Sequence, residues 1–191
     1  MPKIGMEPQR KAALIDAAIH EIGARGSLEV TVAQIARRAG VSSALAHHYF
    51  GGKEDLFLAA MRHVLREFGR AVRSELSAAQ GPRGRAEGIL RASFAPVNFR
   101  AETVSAWLNF YVLALTNAEA RRMLRAYQQR LRSNLRHALR PLAGAGAPAA
   151  AERLAAGIDG LYLREGLSGT APDGARATAE MLESLAREML Q

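Results

Sequence analysis

The sequence has no cysteine among its 191 residues and no long run of apolar residues. The first absence excludes disulfide bonds and thiolate metal sites, which makes a reducing cytoplasm the simplest location. The second excludes a membrane-spanning helix, which needs roughly 20 consecutive apolar residues. The opening stretch MPKIGMEPQRKAALIDAA also lacks the apolar segment of a signal peptide. We therefore expect a cytoplasmic protein with no membrane partner.

Signatures of catalysis are missing as well. The chain has no cysteine nucleophile, no glycine-rich phosphate loop and no nucleophile elbow. No two histidines are spaced four residues apart, and the adjacent His47 and His48 point in different directions on a helix, so a zinc site is not expected. Serine, histidine and aspartate occur, but nothing in the sequence places them together. We predict a protein that is not an enzyme and has neither a metal nor another cofactor.

The chain does carry an excess of positive charge, with 26 lysines and arginines against 18 acidic residues and a formal net charge of +8. Such a balance favours a polyanionic partner. Because arginine greatly outnumbers lysine and alanine is abundant, a genome-wide composition bias explains the charge equally well. The stretch from Arg121 to Arg140 has seven arginines and no acid. It could be a second nucleic-acid surface, but we favour a solvated helix face whose arginine stems cover apolar neighbours.

Helical periodicity runs through almost the whole sequence, and no segment alternates as a strand would. Hydrophobic residues make up 49% of the chain, which is enough for a core. We predict an all-α protein with three short helices in residues 1–53, a connecting helix over 54–78 and about five more helices up to residue 191. The segments QGPRG (80–84) and AGAGAPAA (143–150) are the predicted breaks.

Residues 31–50 show the pattern of a helix-turn-helix. Thr31 and Gln34 are spaced as a capping box, in which each side chain binds a free backbone N–H at the helix start. Gly40 suits the bend, because glycine adopts a positive φ without strain, and Ser42 can cap the next helix. Leu45 is predicted to anchor that helix to the core. In such a motif the second helix lies in the DNA major groove.

The predicted DNA surface consists of side chains on this second helix and its flanks. Ser43 and Ala44 are small enough for a close approach to base edges. His47 and His48 can donate or accept hydrogen bonds, and Lys53 suits a phosphate. Each residue alone also has a purely structural explanation, so the prediction depends on their order and spacing and on the absence of acids between positions 37 and 53. The predicted set is Thr31, Arg37, Ser42, Ser43, Ala44, Leu45, His47, His48, Tyr49 and Lys53.

The stretch TVAQIARRAGVSSALAHHYFGGKEDLF (31–57) resembles the DNA-binding signature of tetracycline-repressor-type (TetR) regulators. It shares the capping threonine, the Ala-Gly-Val bend, the aromatic helix end and the lysine followed by acidic and apolar residues. The resemblance implies that Thr31, Tyr49 and Lys53 hold phosphates. It also implies that base or nearby backbone contacts are made at Ser43, Ala44, Leu45, His47 and His48. It also implies a ligand-responsive repressor with a helical ligand-binding and dimerisation domain, which binds a palindromic double-stranded operator as a dimer.

Aromatic residues are only 6% of the chain, yet several fall close together in its second half. Trp107, Phe110 and Tyr111 share or flank one helical face. Aromatic faces attract cations, above all quaternary ammonium groups, and a nearby acid would add to this attraction. From periodicity alone, ordinary aromatic core packing beside a solvent-facing acid is the favoured explanation. The candidate ligand site is Phe94, Trp107, Phe110, Tyr111, Asp159 and Tyr162, with Phe99 and Glu165 as nearby candidates.

Three further motifs narrow the resemblance: MPKIGM at the start, AWLNFY at 106–111 and IDGLYLREGLSG at 158–169. They are similar to motifs of the choline-responsive repressors of glycine betaine synthesis. The resemblance implies a small cationic effector, choline, acting as inducer. The sequence departs from that pattern at 44–47, which bears on the operator sequence. It also departs at Tyr162, where tryptophan is expected and an aromatic face survives.

The last two predicted helices have wide apolar faces. We predict that two such helices from each subunit form a four-helix bundle in a homodimer, with internal packing of the same faces as the alternative. Two alternatives for the function stay open: a TetR-type repressor that answers to a lipid or drug-like ligand, and a basic helical protein that binds RNA or a membrane surface. The residues of the predicted dimer faces are Leu154, Ile158, Leu161, Leu167, Met181, Leu182, Leu185, Met189 and Leu190.

Overall fold

The computed structural model describes residues 6–189 and is helical throughout that range apart from short turns. The helices are α1 (Met6–Arg25), α2 (Val32–Arg38), α3 (Ser43–Phe50), α4 (Lys53–Ala78), α5 (Gly81–Ser93), α6 (Ala101–Thr116), α7 (Ala118–Ala143), α8 (Ala147–Leu167) and α9 (Gly174–Glu188), with a 3₁₀ turn at Gly144–Gly146. The all-α prediction is confirmed. The motif MPKIGM, apart from Met6, and Leu190 of the predicted dimer face lie outside the described residues.

Helices α1–α3, which we call the head, pack through a small apolar core that includes Leu14 and Ile35. The predicted capping box is present at the start of α2. The backbone N–H of Gln34 donates to Thr31 Oγ1 at 3.2 Å, and the N–H of Thr31 donates to Gln34 Oε1 at 2.8 Å. Gly40 has a φ of 67°, as predicted for the bend. Helix α1 is 20 residues long and therefore not one of three short helices.

The anchor of α3 differs from the prediction. Leu45 is only half-buried, whereas the next residue, Ala46, is buried among the head helices. A methyl group suffices there because α3 lies close to its neighbours. The larger side chain at Leu45 is therefore turned partly towards solvent, on the flank of the surface that α3 presents.

Helices α4–α9 form the rest of the structure, which we call the body. The predicted breaks are shorter than expected, because proline fits the first turn of a helix, where its missing N–H is no loss. Pro82 therefore lies inside α5, and Pro148 lies inside α8. Only Ala79 and Gln80 separate α4 from α5, and the two helices pack against each other.

Helix α6 contacts the head directly at its start and contacts α4, the helix that follows the head, at its far end. At its start, Glu102 lies so close to Gly23 of α1 that a β-carbon on Gly23 would stand 2.6 Å from Glu102 Cβ. At its far end, Asn117 caps α7 and its Nδ2 donates to Glu54 Oε1 on α4 at 2.8 Å. An ion pair between Arg62 of α4 and Glu119 of α7 closes the same corner. Helix α6 thus contacts the head directly at one end and, at the other, the helix that leaves the head.

None of the helices within residues 6–189 is both long enough and apolar enough to cross a membrane.

Candidate DNA-binding surface and ligand site

The surface of α3 is open to solvent. None of the ten predicted DNA-binding residues is buried, and no element of residues 6–189 covers them. Seven of them are exposed, and Ser43, Leu45 and Tyr49 are half-buried. A helix in this position can therefore approach a duplex without rearrangement of the head. Contact of these residues with DNA stays a prediction.

Two hydroxyl groups at this surface serve as helix caps. Ser42 Oγ accepts a hydrogen bond from the backbone N–H of Leu45 at 3.1 Å, as Thr31 Oγ1 does from Gln34. Because the cap uses only an acceptor lone pair, each hydroxyl keeps its O–H as a donor. Thr31 and Ser42 are both exposed and can direct that donor to a phosphate oxygen.

His47 is held by the end of its own helix. The backbone N–H of Gly51 donates to the carbonyl of His47 at 2.7 Å, and His47 Nδ1 lies 3.0 Å from the carbonyl oxygen of Gly51. Gly51 reaches this arrangement with a φ of 78°, in the left-handed region that favours glycine. The pair of hydrogen bonds fixes the imidazole ring beside the helix end.

Lys11 of α1 also lies near this surface, although it is not among the ten residues predicted from the sequence. Its Nζ lies 5.3 Å from the ring centroid of Tyr49, so its charge stands beside a predicted phosphate-binding residue. Lys11 also pairs with Glu7 at 2.6 Å, which lowers the pKa of the Glu7 carboxyl. The sequence shows the Glu7–Lys11 pair at i,i+4 spacing, but nothing local indicates that α1 passes next to α3.

Lys53 offers the simplest test of the surface. Replacing Lys53 by alanine should weaken binding to every duplex and reduce the slope of log K against log salt by about 0.9, the contribution of one phosphate. Fluorescence anisotropy over a salt series measures both quantities. Arg187→Ala removes the same unit charge from an exposed position of α9 and should change neither. Equal behaviour of the two variants would remove Lys53 from the interface.

The predicted ligand residues come together in the body. Tyr162 of α8 has its ring centroid 4.8 Å from Phe99 and 6.0 Å from Phe94, both in the turn after α5. Trp107 of α6 lies 6.1 Å from Tyr162 and 5.7 Å from Tyr111. We call this set, with Phe110 and Tyr127, the aromatic cluster. The same contacts occur in ordinary aromatic cores, so ligand binding stays a prediction.

Tyr127 of α7 belongs to the cluster and was not predicted. Its ring centroid lies 4.7 Å from that of Trp107, the shortest ring separation in the described residues. The residue falls within the arginine-rich segment 121–140, where charge dominates the sequence pattern. No local signal marked it as a neighbour of Trp107, which lies 20 positions earlier.

Asp159 of α8 supplies a carboxylate at the edge of the cluster. The hydroxyl of Tyr111 donates to Asp159 Oδ1 at 3.0 Å. Burial raises the pKa of Asp159 above its usual value, and the hydrogen bond from Tyr111 and the charge of Arg132 oppose that rise. The Tyr162 hydroxyl donates instead to the backbone carbonyls of Ser93 and Asn98, at 2.7 and 3.3 Å. Asp159 therefore has unused acceptor capacity towards a cation.

Glu165, the second acid considered from the sequence, has a different role. It is buried, forms an ion pair with Arg176 of α9 and accepts a hydrogen bond from the backbone N–H of Asp173 at 3.0 Å. Its charge is thus matched by α9 and fastens that helix to α8. Within residues 6–189, no group of three histidine or acidic side chains is placed to hold a metal ion.

Comparison with known proteins gives matches over both parts of the chain. Residues 14–60 match the family model of bacterial regulatory proteins of the tetR family, and residues 82–190 match that of the C-terminal region of BetI-type transcriptional repressors. The chain is 52% identical to the HTH-type transcriptional regulator BetI of Brucella suis biovar 1, over 99% of this chain and 96% of the relative. It is 50% identical to the BetI of Agrobacterium fabrum, over 96% and 89%.

Solved structures show the same fold. A transcriptional regulator from Saccharomonospora viridis, crystallised in complex with choline, superposes with a TM-score of 0.79 at 20% identity, covering 94% of this chain and 97% of that one. Since its relatives are named transcriptional regulators and the tetR family model covers the exposed helix-turn-helix, the chain is a DNA-binding transcriptional regulator and not an enzyme. The chain belongs to the BetI-type transcriptional repressors of the TetR family.

Proposed function

We propose that the protein represses choline-to-glycine betaine genes, acting as a homodimer on a palindromic operator in the cytoplasm, with choline as the inducer. One observation in the structure supports the ligand above others: Asp159 lies with Tyr111 at the edge of a cluster of aromatic rings. A quaternary ammonium group combines a positive charge with an apolar surface. The carboxylate complements the charge, and the rings complement the methyl groups.

The cluster is filled by its own side chains. Neighbouring ring centroids lie between 4.7 and 6.1 Å apart, which leaves the rings in mutual contact. A trimethylammonium group that enters must therefore separate rings of α6 from those of α7 or α8. The ligand has a differential affinity for the two arrangements, and only such a difference can shift the protein between states.

Helix α6 can carry this displacement to the head. Trp107 and Tyr111 lie in its middle, Glu102 near its start rests on Gly23 of α1, and Asn117 after its end binds Glu54 of α4. A change at the rings is therefore felt at both junctions. Coupling of this kind between two sites is typically worth about 1–3 kcal/mol, or about 5- to 150-fold in operator affinity.

A dimer interface must be formed by side chains that are exposed on the single chain. Five residues of the predicted dimer faces are buried within the chain itself: Leu154, Ile158, Leu161, Met181 and Leu185. Internal packing is thus the correct explanation for them. On α8, Leu163 and Leu167 are 52% and 71% exposed, and the exposed Ala156 and Gly160 precede them on the same face at helical spacing. This face of α8, beside α9, is the one we propose for the homodimer.

Calorimetry with choline and 3,3-dimethylbutan-1-ol, which has the same shape without the charge, tests the ligand. The wild type should bind choline and prefer it over the neutral compound, and choline should change the operator affinity. Trp107→Phe keeps the ring packing and should weaken choline binding about 2- to 30-fold, since tryptophan gives the strongest cation–π contact. Trp107→Ala is less informative, because a buried Trp→Ala change costs about 3–5 kcal/mol of stability.

Equal binding of both compounds would contradict a cation site and favour a lipid-like or drug-like effector. Operator binding without any preference for a palindromic duplex would instead contradict the repressor itself, in favour of a general RNA or membrane-surface protein.

A further inference from the structure

The hydrogen bond between His47 and Gly51 fixes the tautomer of His47. A backbone carbonyl can only accept, so Nδ1, at 3.0 Å from the Gly51 oxygen, carries the proton. The neutral ring then has a lone pair on Nε2 and no second donor. The side chain is exposed, so this acceptor faces solvent on the surface that α3 presents.

The major groove distinguishes base pairs by their donors and acceptors. The exocyclic amino groups of adenine and cytosine are donors, whereas guanine N7 and O6, thymine O4 and the phosphate oxygens are acceptors. A neutral histidine with Nε2 as its free nitrogen matches only the two amino groups. The other partners would each place two lone pairs opposite each other.

We propose that His47 reads the exocyclic amino group of an adenine or cytosine in each half-site, through Nε2. The inference depends on the proposed placement of α3 in the major groove. Gly51 acts as the positioning residue: it holds the ring, and its φ of 78° is what lets its carbonyl face Nδ1. His48, the next residue, is also exposed, but among the described residues it has no such bond to the backbone.

Base analogues test this reading at the level of single atoms. An operator half-site obtained by selection from random duplexes is scanned by fluorescence anisotropy at pH 8. Adenines are replaced one by one with purine, and cytosines with 2-pyrimidinone, both of which lack the amino group. At one position, which the palindrome repeats in both half-sites, removal of the amino group should lower the affinity of the wild type about 3- to 10-fold, the effect of one hydrogen bond.

His47→Ala should bind the parent operator more weakly than the wild type does. It should lose no further affinity when the amino group at that position is removed. His48→Ala, the matched control, should keep the full loss. Because the wild-type scan needs no variant, the inference can be tested even if a substitution disturbs folding. Gly51→Ala, which frees the ring, should reduce the loss at that position.

Two results would overturn the inference while DNA binding stands. One is that His47→Ala binds more weakly than the wild type by the same factor on the parent operator and on every analogue operator. That result would assign the residue to a phosphate. The other is a guanine whose replacement by 7-deazaguanine weakens binding of the wild type but not of His47→Ala, which would show that Nε2 donates to guanine N7. If no duplex is selected at all, the repressor function fails before the question of His47 arises.

Discussion

Replacing Asp159 by asparagine is expected to lower the affinity for choline about 10- to 150-fold while leaving operator affinity in the absence of choline unchanged. Asparagine has nearly the same shape and keeps an oxygen that can accept from the Tyr111 hydroxyl, so the packing of the cluster is retained. What is lost is the negative charge opposite the ammonium group. The ammonium group has no N–H, so the interaction is a charge–charge attraction, which is worth about 1.5–3 kcal/mol at a separation of about 5.5 Å and an effective dielectric constant of about 20–40, and this gives the stated range.

The same carboxyl makes choline binding depend on pH. Burial raises the pKa of Asp159, so the free protein keeps the proton to a higher pH than an ordinary aspartate does. Choline favours the ionised form, so below that pKa its binding must displace the proton. Its affinity should therefore rise with pH through the raised pKa and level off above it, with proton release on binding. Calorimetry in two buffers of different ionisation enthalpy measures the protons released.

Stability should follow the opposite trend. Because the folded-state pKa of Asp159 lies above the unfolded value, the folded protein binds more protons between the two values, and its contribution to stability falls as pH rises through that window. Asp159→Asn should remove this dependence. Asp16→Asn, the same chemical change at an exposed position of α1, serves as control. Choline binding by Asp159→Asn at the wild-type strength would exclude the carboxylate from the site.

The head was predictable because its signals are local. Thr31 and Gln34 are three residues apart, Gly40 and Ser42 lie within the next eight positions, and each has a defined backbone requirement. Such requirements are met by neighbours in sequence, so they can be recognised without knowledge of the rest of the chain. The error at Leu45 has a different origin: which of Leu45 and Ala46 turns inward depends on how α3 packs against α2 and α4, and the pattern within α3 does not contain that packing.

The sequence predicted the helices of the body and their apolar faces, but not which helices pack against each other. Periodicity shows that α8 and α9 have apolar faces, but not whether Leu154 or Met181 meets its own chain or a second copy. The aromatic residues were recognised where they share one helix, as Trp107 and Tyr111 do. Tyr127 and the pairing of Glu165 with Arg176 depend on contacts between helices, which no pattern within one helix encodes.

Replacing Gly23 by alanine is expected to destabilise the protein and weaken the coupling between its two parts. A β-carbon there would stand 2.6 Å from Glu102 Cβ and meet backbone as well, so α1 and α6 must separate rather than adjust a flexible side chain. Overpacking of this kind costs about 1–3 kcal/mol. With that crossing loosened, the connection of α6 to the head would depend on α4, which packs on both α1 and α6 and holds Asn117 through Glu54. The ratio of operator affinities with and without choline should therefore fall towards one.

Gly69→Ala is the matched control, because the same chemical change at this position is expected not to destabilise the protein. Gly69 also lies inside a helix, but its nearest neighbour would be Arg73 Nη1 at 3.4 Å, the end of a flexible side chain. Since alanine favours a helix over glycine by up to about 1 kcal/mol, this variant should be as stable as the wild type or more so. Thermal unfolding and anisotropy on both variants give stability and coupling together. If Gly23→Ala kept the wild-type coupling ratio, the crossing of α1 and α6 would be a packing contact only, and transmission would have to run through α4, which packs on both helices.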